Sequence, residues 1–399
     1  MKRRRWMNDI KVLSEVGECA PKCRARSANA ALGFARAVRC ADPSKGPSFT
    51  RIDLIALRLP CSAASLTLMW TAMQRRQLLK RLGAAASLSG IASWHAVAQS
   101  QVAAWPSQPI KLMIAFPPGG PTDITMRVLA DNASKLLGQP VVIENKPGAG
   151  GTLPAVQLQQ SKPDGYTLAQ IPLGVFRLPY TQKINWDPVK DISYIVGVTG
   201  YAFGLVVPAD SAIKNWADFV AYAKSNPGKL SYGSTGVLTS PHLTMEDIAL
   251  RLGLDLNHIP YKGSADLMQS ILGGQIMAAA DSTGFLPHVQ SGKLRVLNTW
   301  GEKRLPKFPD APTLKELGLN MVQASPYGIG APKGMDPVLV KRIHDAFLQA
   351  MEMPSHVEVL AKYDQQLMHM NPQEYSKFAE ETFRREKALV DKLGLSKPG

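Results

Sequence analysis

Short apolar runs of strand length alternate with amphipathic segments of helical length through most of the chain. The first run covers residues 110–116 and stops at Pro117-Pro118-Gly119-Gly120. Apolar positions then recur at helical spacing, with Thr122 or Asp123 able to cap the segment, until Gly138-Gln139-Pro140 ends it. A second run at 141–144 leads through a glycine-rich turn into another helix. This stretch therefore predicts a β-loop-α-β-loop-α unit.

The same alternation continues toward the C-terminus, where the pattern becomes helical. Strands alternating with helices of this size predict an α/β protein with mainly parallel sheets and flanking helices. The further strands are predicted at 166–171, 192–207, 230–233, 258–261, 276–280 and 294–299. The further helices are predicted at 216–224, 241–252, 265–272, 284–290, 337–351, 355–362 and 372–392.

Two places in this pattern suggest that the chain moves between lobes. Predicted strands leave one lobe near residues 200–207 and re-enter it near residues 325–331, and 399 residues are enough for two domains. We therefore expect a two-lobed, Venus flytrap arrangement with a hinge cleft. The first lobe would hold residues 99–201 and 326–399, and the second residues 202–325.

The net charge of +15 suggests a nucleic-acid or membrane-surface partner until its distribution is considered. Residues 1–98 hold 17 of the 46 basic residues and only 5 of the 31 acidic ones, so the remaining body is almost neutral. All the cysteines, Cys19, Cys23, Cys40 and Cys61, also precede residue 73. A near-neutral body without thiols suits an oxidising compartment and gives no reason to expect nucleic-acid binding.

Residues 73–98 resemble an export signal. A basic segment around Arg75-Arg76 precedes an apolar stretch from Leu82 to about Trp94, and Ala96-Val97-Ala98 forms a cleavage site before Gln99. The body is therefore expected in the periplasm, exported either by a twin-arginine or by a general secretory route. Residues 1–72 are interpreted as a disordered upstream extension that is not native to the exported protein.

Two loops carry the chemistry that a binding site needs. Phe116–Asp123 and Tyr232–His242 each follow a predicted strand, are rich in glycine or hydroxyl groups, and open a helix. Backbone N–H groups at such a helix start can hold a carboxylate or phosphate. Taken alone, each loop is also compatible with a tight turn and an ordinary helix cap that bind no ligand. Because open α/β sheets bind ligands at the carboxyl ends of their strands, a shared cleft is favoured.

Other motifs give weak signals. The 147–151 turn lacks the third glycine of a dinucleotide-binding loop, so no cofactor is expected. Cys19 and Cys23 have no partner pair at zinc-finger spacing, and no metal is expected. A hydrolase triad of Ser234, His242 and Asp281 would lack a nucleophile elbow. The chain is therefore not expected to be an enzyme, although a hydrolase-like or ligand-sensing protein of the same fold remains the alternative.

Taken in order over residues 105–395, these segments resemble the Bug family, the periplasmic substrate-binding proteins of tripartite tricarboxylate transporters. The matching text is Pro109-Ile110, Phe116–Gly120 with Thr122-Asp123, Gly138–Val142, Glu144–Gly151, Pro163–Leu168, Pro260–Ala265, Leu272–Gln275 and Pro309–Thr313.

This resemblance implies a clamshell that closes on a small carboxylated metabolite and delivers it to membrane permease subunits, and a monomer is expected. It assigns ligand contacts to Phe116, Gly119, Gly120, Thr122 and Asp123 on one side and to Ser234, Thr235, Thr239, Ser240 and His242 on the other. Asp281 matches a cleft-facing acidic position that would meet a ligand amine or hydroxyl, or serve only the structure.

The chain departs from the family pattern in three places. Pro121 stands where the family has a small residue, Gly236–Thr239 replaces a more polar loop, and residues 171–176 are unusually apolar. These changes suggest a larger or partly aromatic carboxylate in place of citrate.

Overall fold

The computed structural model of the protein describes residues 105–397. The predicted upstream extension and signal peptide lie outside the described residues. The strands are β1 Ile110–Ile114, β2 Val141–Asn145, β3 Thr167–Ile171, β4 Ile192–Tyr201, β5 Phe203–Pro208, β6 Ser231–Ser234, β7 Asn257–Pro260, β8 Ala278–Ser282, β9 Leu294–Thr299, β10 Ser325–Pro332 and β11 Leu367–Met370. The helices are α1 Pro121–Leu137, α2 Leu153–Leu158, α3 Gly174–Thr181, α4 Trp216–Ser225, α5 Ser240–Leu252, α6 Ser264–Leu272, α7 Leu286–Gln290, α8 Pro337–Glu352, α9 Pro354–Lys362 and α10 Pro372–Lys392.

Strands β1, β2, β3, β4, β10 and β11 form the sheet of the first lobe. Its order is β11-β4-β10-β3-β1-β2, with β1 parallel to both β2 and β3. The other pairings are antiparallel, because β10 runs against β3 and β4, and β11 runs against β4. The carboxyl ends of β1, β2 and β3 therefore meet at one edge of this sheet.

Strands β5 to β9 form the sheet of the second lobe, in the order β7-β6-β8-β5-β9. Strand β6 is parallel to β7 and β8, whereas β5 is antiparallel to β8 and β9. Ala202 alone separates β4 of the first sheet from β5 of the second. The chain returns to the first sheet between β9 and β10.

The predicted two-lobed α/β fold is confirmed, but the sheets are mixed where mainly parallel sheets were expected. The crossings between sheets explain the difference. Strand β4 leaves the first sheet and β10 re-enters it, so the two strands run in opposite directions when they pair. The alternation of strands and helices along the chain carries no signal for this reversal.

Helix α1 shows how local sequence fixes the first loop. Gly120 is its N-cap and Pro121 occupies the first turn, where a missing N–H costs nothing. Asp123 lies in the first turn and does not cap the helix as predicted. Gly138, in the left-handed conformation, ends the helix. The buried stripe includes Met126, Leu129, Ala130, Ala133 and Leu137, whereas the neighbouring Leu136 is exposed.

Two elements were not predicted from the pattern. Helix α3 contains Gly174 and an internal Pro179, which are poor helix formers, and packs against α10. Strand β11 has four residues that are mostly exposed, so it shows no buried face. In contrast, α10 begins where predicted, because Asn371 and Glu374 form a reciprocal capping box.

No helix within residues 105–397 is long and apolar enough to cross a membrane. The main core instead packs apolar side chains of the helices against the two sheets. Phe347 on α8 is fully buried in this core. Val338, on the same helix, is 61% exposed.

Phe347→Ala is expected to lower the free energy of unfolding by about 3–5 kcal/mol, because it removes a buried ring and leaves a cavity. Urea denaturation would measure this loss. Val338→Ala is the control, and its effect should stay within about 0.5 kcal/mol. Equal effects of the two substitutions would contradict the packing described for α8.

Candidate functional site

A cavity lies between the two lobes at the edges where the parallel strands end. From the first lobe it is lined by residues that follow β1, β2 and β3. From the second it is lined by residues that follow β6 and β7 and by Ser282, the last residue of β8. Tyr201 and Phe203, on either side of the first crossing, complete the wall together with Ser325 at the second. Both sheets therefore contribute their carboxyl edges to one site, as is usual for ligand sites of open α/β sheets.

Four helices of the described chain begin at this cavity. Gly120 and Pro121 mark the start of α1, Gly174 the start of α3, Ser240 the start of α5 and Ser264 the start of α6, and all of them line the cavity. The first N–H groups of a helix have no partner within the helix, and they carry a partial positive charge. Helix starts in this arrangement would favour a negative charge in the cavity without a free cation.

Hydrogen bonds on the side away from the cavity hold the first loop, Phe116–Asp123, in place. The Asp123 carboxylate accepts the Gly119 N–H at 3.1 Å and the Asn145 side-chain amide at 2.9 Å, and it pairs with Arg127 at 2.8 Å. Burial alone would raise the pKa of Asp123, but hydrogen bonds from Arg127, Asn145 and Gly119 outweigh it and lower the pKa. Asp123 therefore stays ionised and shapes the loop from outside the cavity lining.

Aromatic rings form much of the apolar wall. Phe116 meets Tyr201 edge to face with ring centroids 6.3 Å apart, and Tyr201 lies 5.9 Å from Phe203. The Tyr201 hydroxyl is 2.9 Å from the Thr122 hydroxyl and accepts a hydrogen bond from Gln170 at 2.8 Å. Burial raises the pKa of Tyr201 well above its usual value, so it stays neutral. Its hydroxyl is occupied within the protein, which leaves its ring for an apolar contact.

The second loop is tied together by its own hydroxyl groups. Ser234 and Thr239 both donate to the Gly236 carbonyl, at 3.1 and 2.7 Å. The Ser234 hydroxyl also lies 2.7 Å from Nε2 of His258. Ser234 is fully buried and does not line the cavity. Ser234 therefore supports the loop from the protein interior and does not face the cavity.

Two histidines lie under this loop. Nδ1 of His242 accepts the Leu238 N–H at 3.1 Å, and the His242 and His258 rings are 4.2 Å apart. Burial lowers the pKa of His258 to about 4. Burial, helped by the nearby His258 and Arg177, holds the pKa of His242 well below its usual value. Both rings are therefore neutral near pH 7 and place no cation beneath the cavity.

Asp281 lies behind the cavity wall of the second lobe. It is fully buried and accepts a hydrogen bond from Ser264, which lines the cavity as Ser282 does. The other carboxylate oxygen has no partner in the described part of the chain. Burial raises the pKa of Asp281 to about 7, although the hydrogen bond from Ser264 lowers it in part.

The structure separates the predicted site residues into two groups. Those that line the cavity are Phe116, Gly120, Thr122, Thr235, Thr239 and Ser240. Those that lie behind the lining and hold it are Gly119, Asp123, Ser234, His242 and Asp281.

The sequence reasoning missed several lining residues, above all Arg177, Gly150, Leu173, Tyr201 and Ser264. Gly150 belongs to the glycine-rich turn at 147–151, which matches a dinucleotide-binding loop only in part. The apolar run at 171–176 is a departure from the family pattern, and this departure is a signal for the apolar wall. Arg177 had no signal, because the helix that carries it was not predicted.

Ser234, His242 and Asp281 do not have the geometry of a catalytic triad. Ser234 contacts His258, His242 accepts from the loop backbone, and Asp281 contacts Ser264, so the three candidate residues do not form a relay. The Ser234 hydroxyl also donates a hydrogen bond to the Gly236 carbonyl. This arrangement stabilises a loop and does not activate a nucleophile.

Glycines allow the lobes to approach closely around the cavity. A Cβ atom on Gly263 of the second lobe would lie 2.5 Å from Cδ of Pro117 in the first. A Cβ atom on Gly150 of the first lobe would lie 2.7 Å from the Val237 carbonyl oxygen in the second. The described structure is therefore closed at these two points.

A two-lobed α/β fold with helix starts around an interlobe cavity defines a solute-binding receptor. The comparison with known families agrees, since residues 125–395 match the family described as "Tripartite tricarboxylate transporter family receptor". The chain belongs to this family, and the resemblance to Bug proteins is confirmed. Its relatives are receptors and not enzymes.

Three similar proteins illustrate the match. A Cupriavidus necator protein, "UPF0065 protein in gbd 5'region", is 56% identical over 325 residues, which cover 82% of this chain and 99% of the relative. The structure of the periplasmic binding protein BugD has a TM-score of 0.71 at 28% identity, covering 74% of this chain and 100% of BugD. The structure of R. palustris Rpa4515 with adipate has a TM-score of 0.69 at 26% identity, covering 73% and 99%.

The raised pKa of Asp281 gives a prediction for stability against pH. The folded protein keeps this proton up to about pH 7, whereas the unfolded chain releases it near the ordinary value of 3.8. The resulting stabilisation is complete below pH 3.8 and is lost as the pH rises through 7. Asp281→Asn cannot ionise, so the stability of the wild type relative to this variant should fall by a few kcal/mol, on the order of 1.4 per pKa unit, between pH 4 and 8.

Urea denaturation at several pH values would measure this difference. Val338→Ala, at an exposed position on α8, changes no ionisable group and is the control, so its difference from the wild type should not depend on pH. A pH-independent difference for Asp281→Asn would show that the buried carboxyl does not titrate as described.

Proposed function

We propose that this protein is a periplasmic receptor that captures a small carboxylated metabolite between its lobes for a tripartite tricarboxylate-type transporter. The observation that carries the proposal is the convergence of α1, α3, α5 and α6 on one cavity. Family membership supports the transporter assignment, and the adipate-bound relative supports a carboxylate as the ligand.

The charge of the cavity favours an anion held by backbone groups. Among the residues of 105–397 that line it, Arg177 is the only charged side chain, and Glu386 neutralises it at 2.7 Å. Helix starts and hydroxyl groups such as those of Thr122, Thr235 and Ser240 therefore supply the remaining polarity. Such donors suit a carboxylate with one or two charges better than citrate with three.

The aromatic wall suggests the rest of the ligand. The rings of Phe116, Tyr201 and Phe203 offer an apolar surface of the kind that packs against a hydrocarbon chain or an aromatic ring. We therefore propose a carboxylate with an apolar body. The ligand contacts assigned to Phe116, Gly120, Thr122, Thr235, Thr239 and Ser240 belong to this proposal.

The wider assignment follows the family and the chain pattern. We propose export to the periplasm with cleavage near Ala98-Gln99, a monomeric receptor, and permease subunits as partners. The lobes would be residues 99–201 with 326–399, and residues 202–325, hinged where the chain crosses between the sheets.

A thermal-shift screen tests the ligand class. The mature chain would be titrated with benzoate, adipate and citrate, each beside its uncharged amide. We expect benzoate or adipate to stabilise the protein and the amides not to, because helix starts favour the negative charge. A ligand at 100 times its Kd should add about 2.7 kcal/mol to the free energy of unfolding.

The comparison of acid with amide makes the screen decisive. Equal stabilisation by an acid and its amide would contradict anion recognition, and stabilisation by citrate alone would contradict the apolar body. The absence of any effect from all three acids would count against the proposed function. Consumption of any acid, followed by chromatography, would instead favour an enzyme.

The close contact between Gly263 and Pro117 gives a second test. Gly263 has extended backbone, which any residue can adopt, so Gly263→Ala acts only by placing a Cβ against Pro117 when the lobes close. We expect affinity for the stabilising acid to fall by about tenfold, the order of magnitude for moderate overpacking. Calorimetric titration would measure the Kd.

Gly273→Ala is the matched control on the same lobe. Its Cβ would meet the carbonyl oxygens of Gln269 and Ser270, at 3.2 and 3.7 Å, both in the helix that it follows and away from the first lobe. It should therefore leave the affinity almost unchanged. Equal affinities for Gly263→Ala and the wild type would show that binding does not need this closure.

A further inference from the structure

A buried arginine joins the two lobes at the wall of the cavity. Arg177 on α3 of the first lobe is 1% exposed. Its Nη1 donates to the Leu238 carbonyl at 2.7 Å and its Nη2 to the Ser240 hydroxyl at 3.1 Å, both in the second loop. One side chain therefore spans from the first lobe to the start of α5 in the second.

Glu386 fixes the direction of this arginine. It lies on α10 of the first lobe, is 3% exposed, and accepts from Nε of Arg177 at 2.7 Å. All three guanidinium nitrogens thus have partners inside the protein. A charge-assisted hydrogen bond of this kind is about twice as strong as a neutral one, and the planar guanidinium holds its donors in fixed directions.

The segment that Arg177 holds has an unusual backbone. Leu238 has a φ of +62°, in the left-handed region that a branched apolar residue rarely adopts. Its N–H donates to His242 and its carbonyl accepts from Arg177, so the peptide groups on both sides of this strained residue are held. Strain of this kind persists only where the surroundings fix it.

We propose that Arg177 is a positioning residue that holds Leu238 and Ser240 of the second loop in the conformation that binds the ligand, while Glu386 orients its guanidinium. Arg177 then acts through the loop and not as a contact for the ligand carboxylate. The inference rests on the proposed function, because it names how the second half of that same site is held closed.

Arg177→Lys is the sharpest test. Lysine keeps the positive charge beside Glu386, but its single ammonium cannot serve three separate acceptors in the directions of the guanidinium. We expect the Kd values for benzoate and adipate to rise by about 10- to 100-fold and by similar factors, as for the loss of a charged hydrogen bond. Arg304→Lys, at an exposed pair with Glu316, is the control and should change neither value.

Hydrogen exchange without any acid provides a readout that does not depend on the ligand. Amides of residues 234–242 should exchange faster in Arg177→Lys than in the wild type. Equal exchange, or equal Kd values, would overturn the proposal. A loss of affinity for adipate alone would also overturn it, because Arg177 would then contact a second carboxylate. If neither acid binds the wild type, the proposed function fails while the exchange result still decides this inference.

A double variant separates positioning from the cost of an unpaired buried charge. Arg177→Met with Glu386→Leu removes both charges and keeps apolar volume, a replacement that is often neutral for stability. We expect a melting temperature near that of the wild type, with the same loss of affinity and the same faster exchange as in Arg177→Lys. Wild-type affinity in the double variant would overturn the proposal, since the pair would then serve only to balance its own charges.

Discussion

The N–H groups at the first turn of a helix have no partner inside that helix, and most features of this site depend on where those groups point. The parallel strands of each sheet end at one edge, and the helices that follow begin there. Because both sheets turn that edge toward the same gap, the starts of α1, α3, α5 and α6 share one cavity. The local polarity of the site is therefore a consequence of topology more than of any single side chain.

This source of polarity explains the kinds of residue found around the cavity. Backbone groups can approach a ligand only where side chains are small, which accounts for Gly120 and Gly150 in the lining. Neutral His242 and His258 support the second loop without adding charge, and the ionised Asp123 is turned away from the lining. Burial thus keeps the two histidines near the cavity neutral, and Asp123 pairs with Arg127 within the protein.

The sequence pattern identified the fold class because alternating strands and helices have distinct periods. It also identified the two glycine- and hydroxyl-rich loops, because the residue types that favour turns and helix starts are local features of the sequence. It could not separate Thr122, which lines the cavity, from Asp123, which lies behind it, since adjacent residues of a helix point in different directions. Nor could it find Arg177, whose partners Leu238 and Glu386 are 61 and 209 residues away in the chain.

The Arg177–Glu386 pair is therefore the feature that needs the three-dimensional structure to be understood. Burying two opposite charges is costly, and such a pair is weak evidence for a gain in stability. As a neutral pair it also attracts an anion less than a free arginine would. The pair instead fixes the orientation of the guanidinium. The Glu386 carboxylate holds Nε of Arg177, and another guanidinium nitrogen donates to the strained Leu238 in the other lobe. This property accounts for a buried charge pair in a cavity whose helix starts already favour an anion.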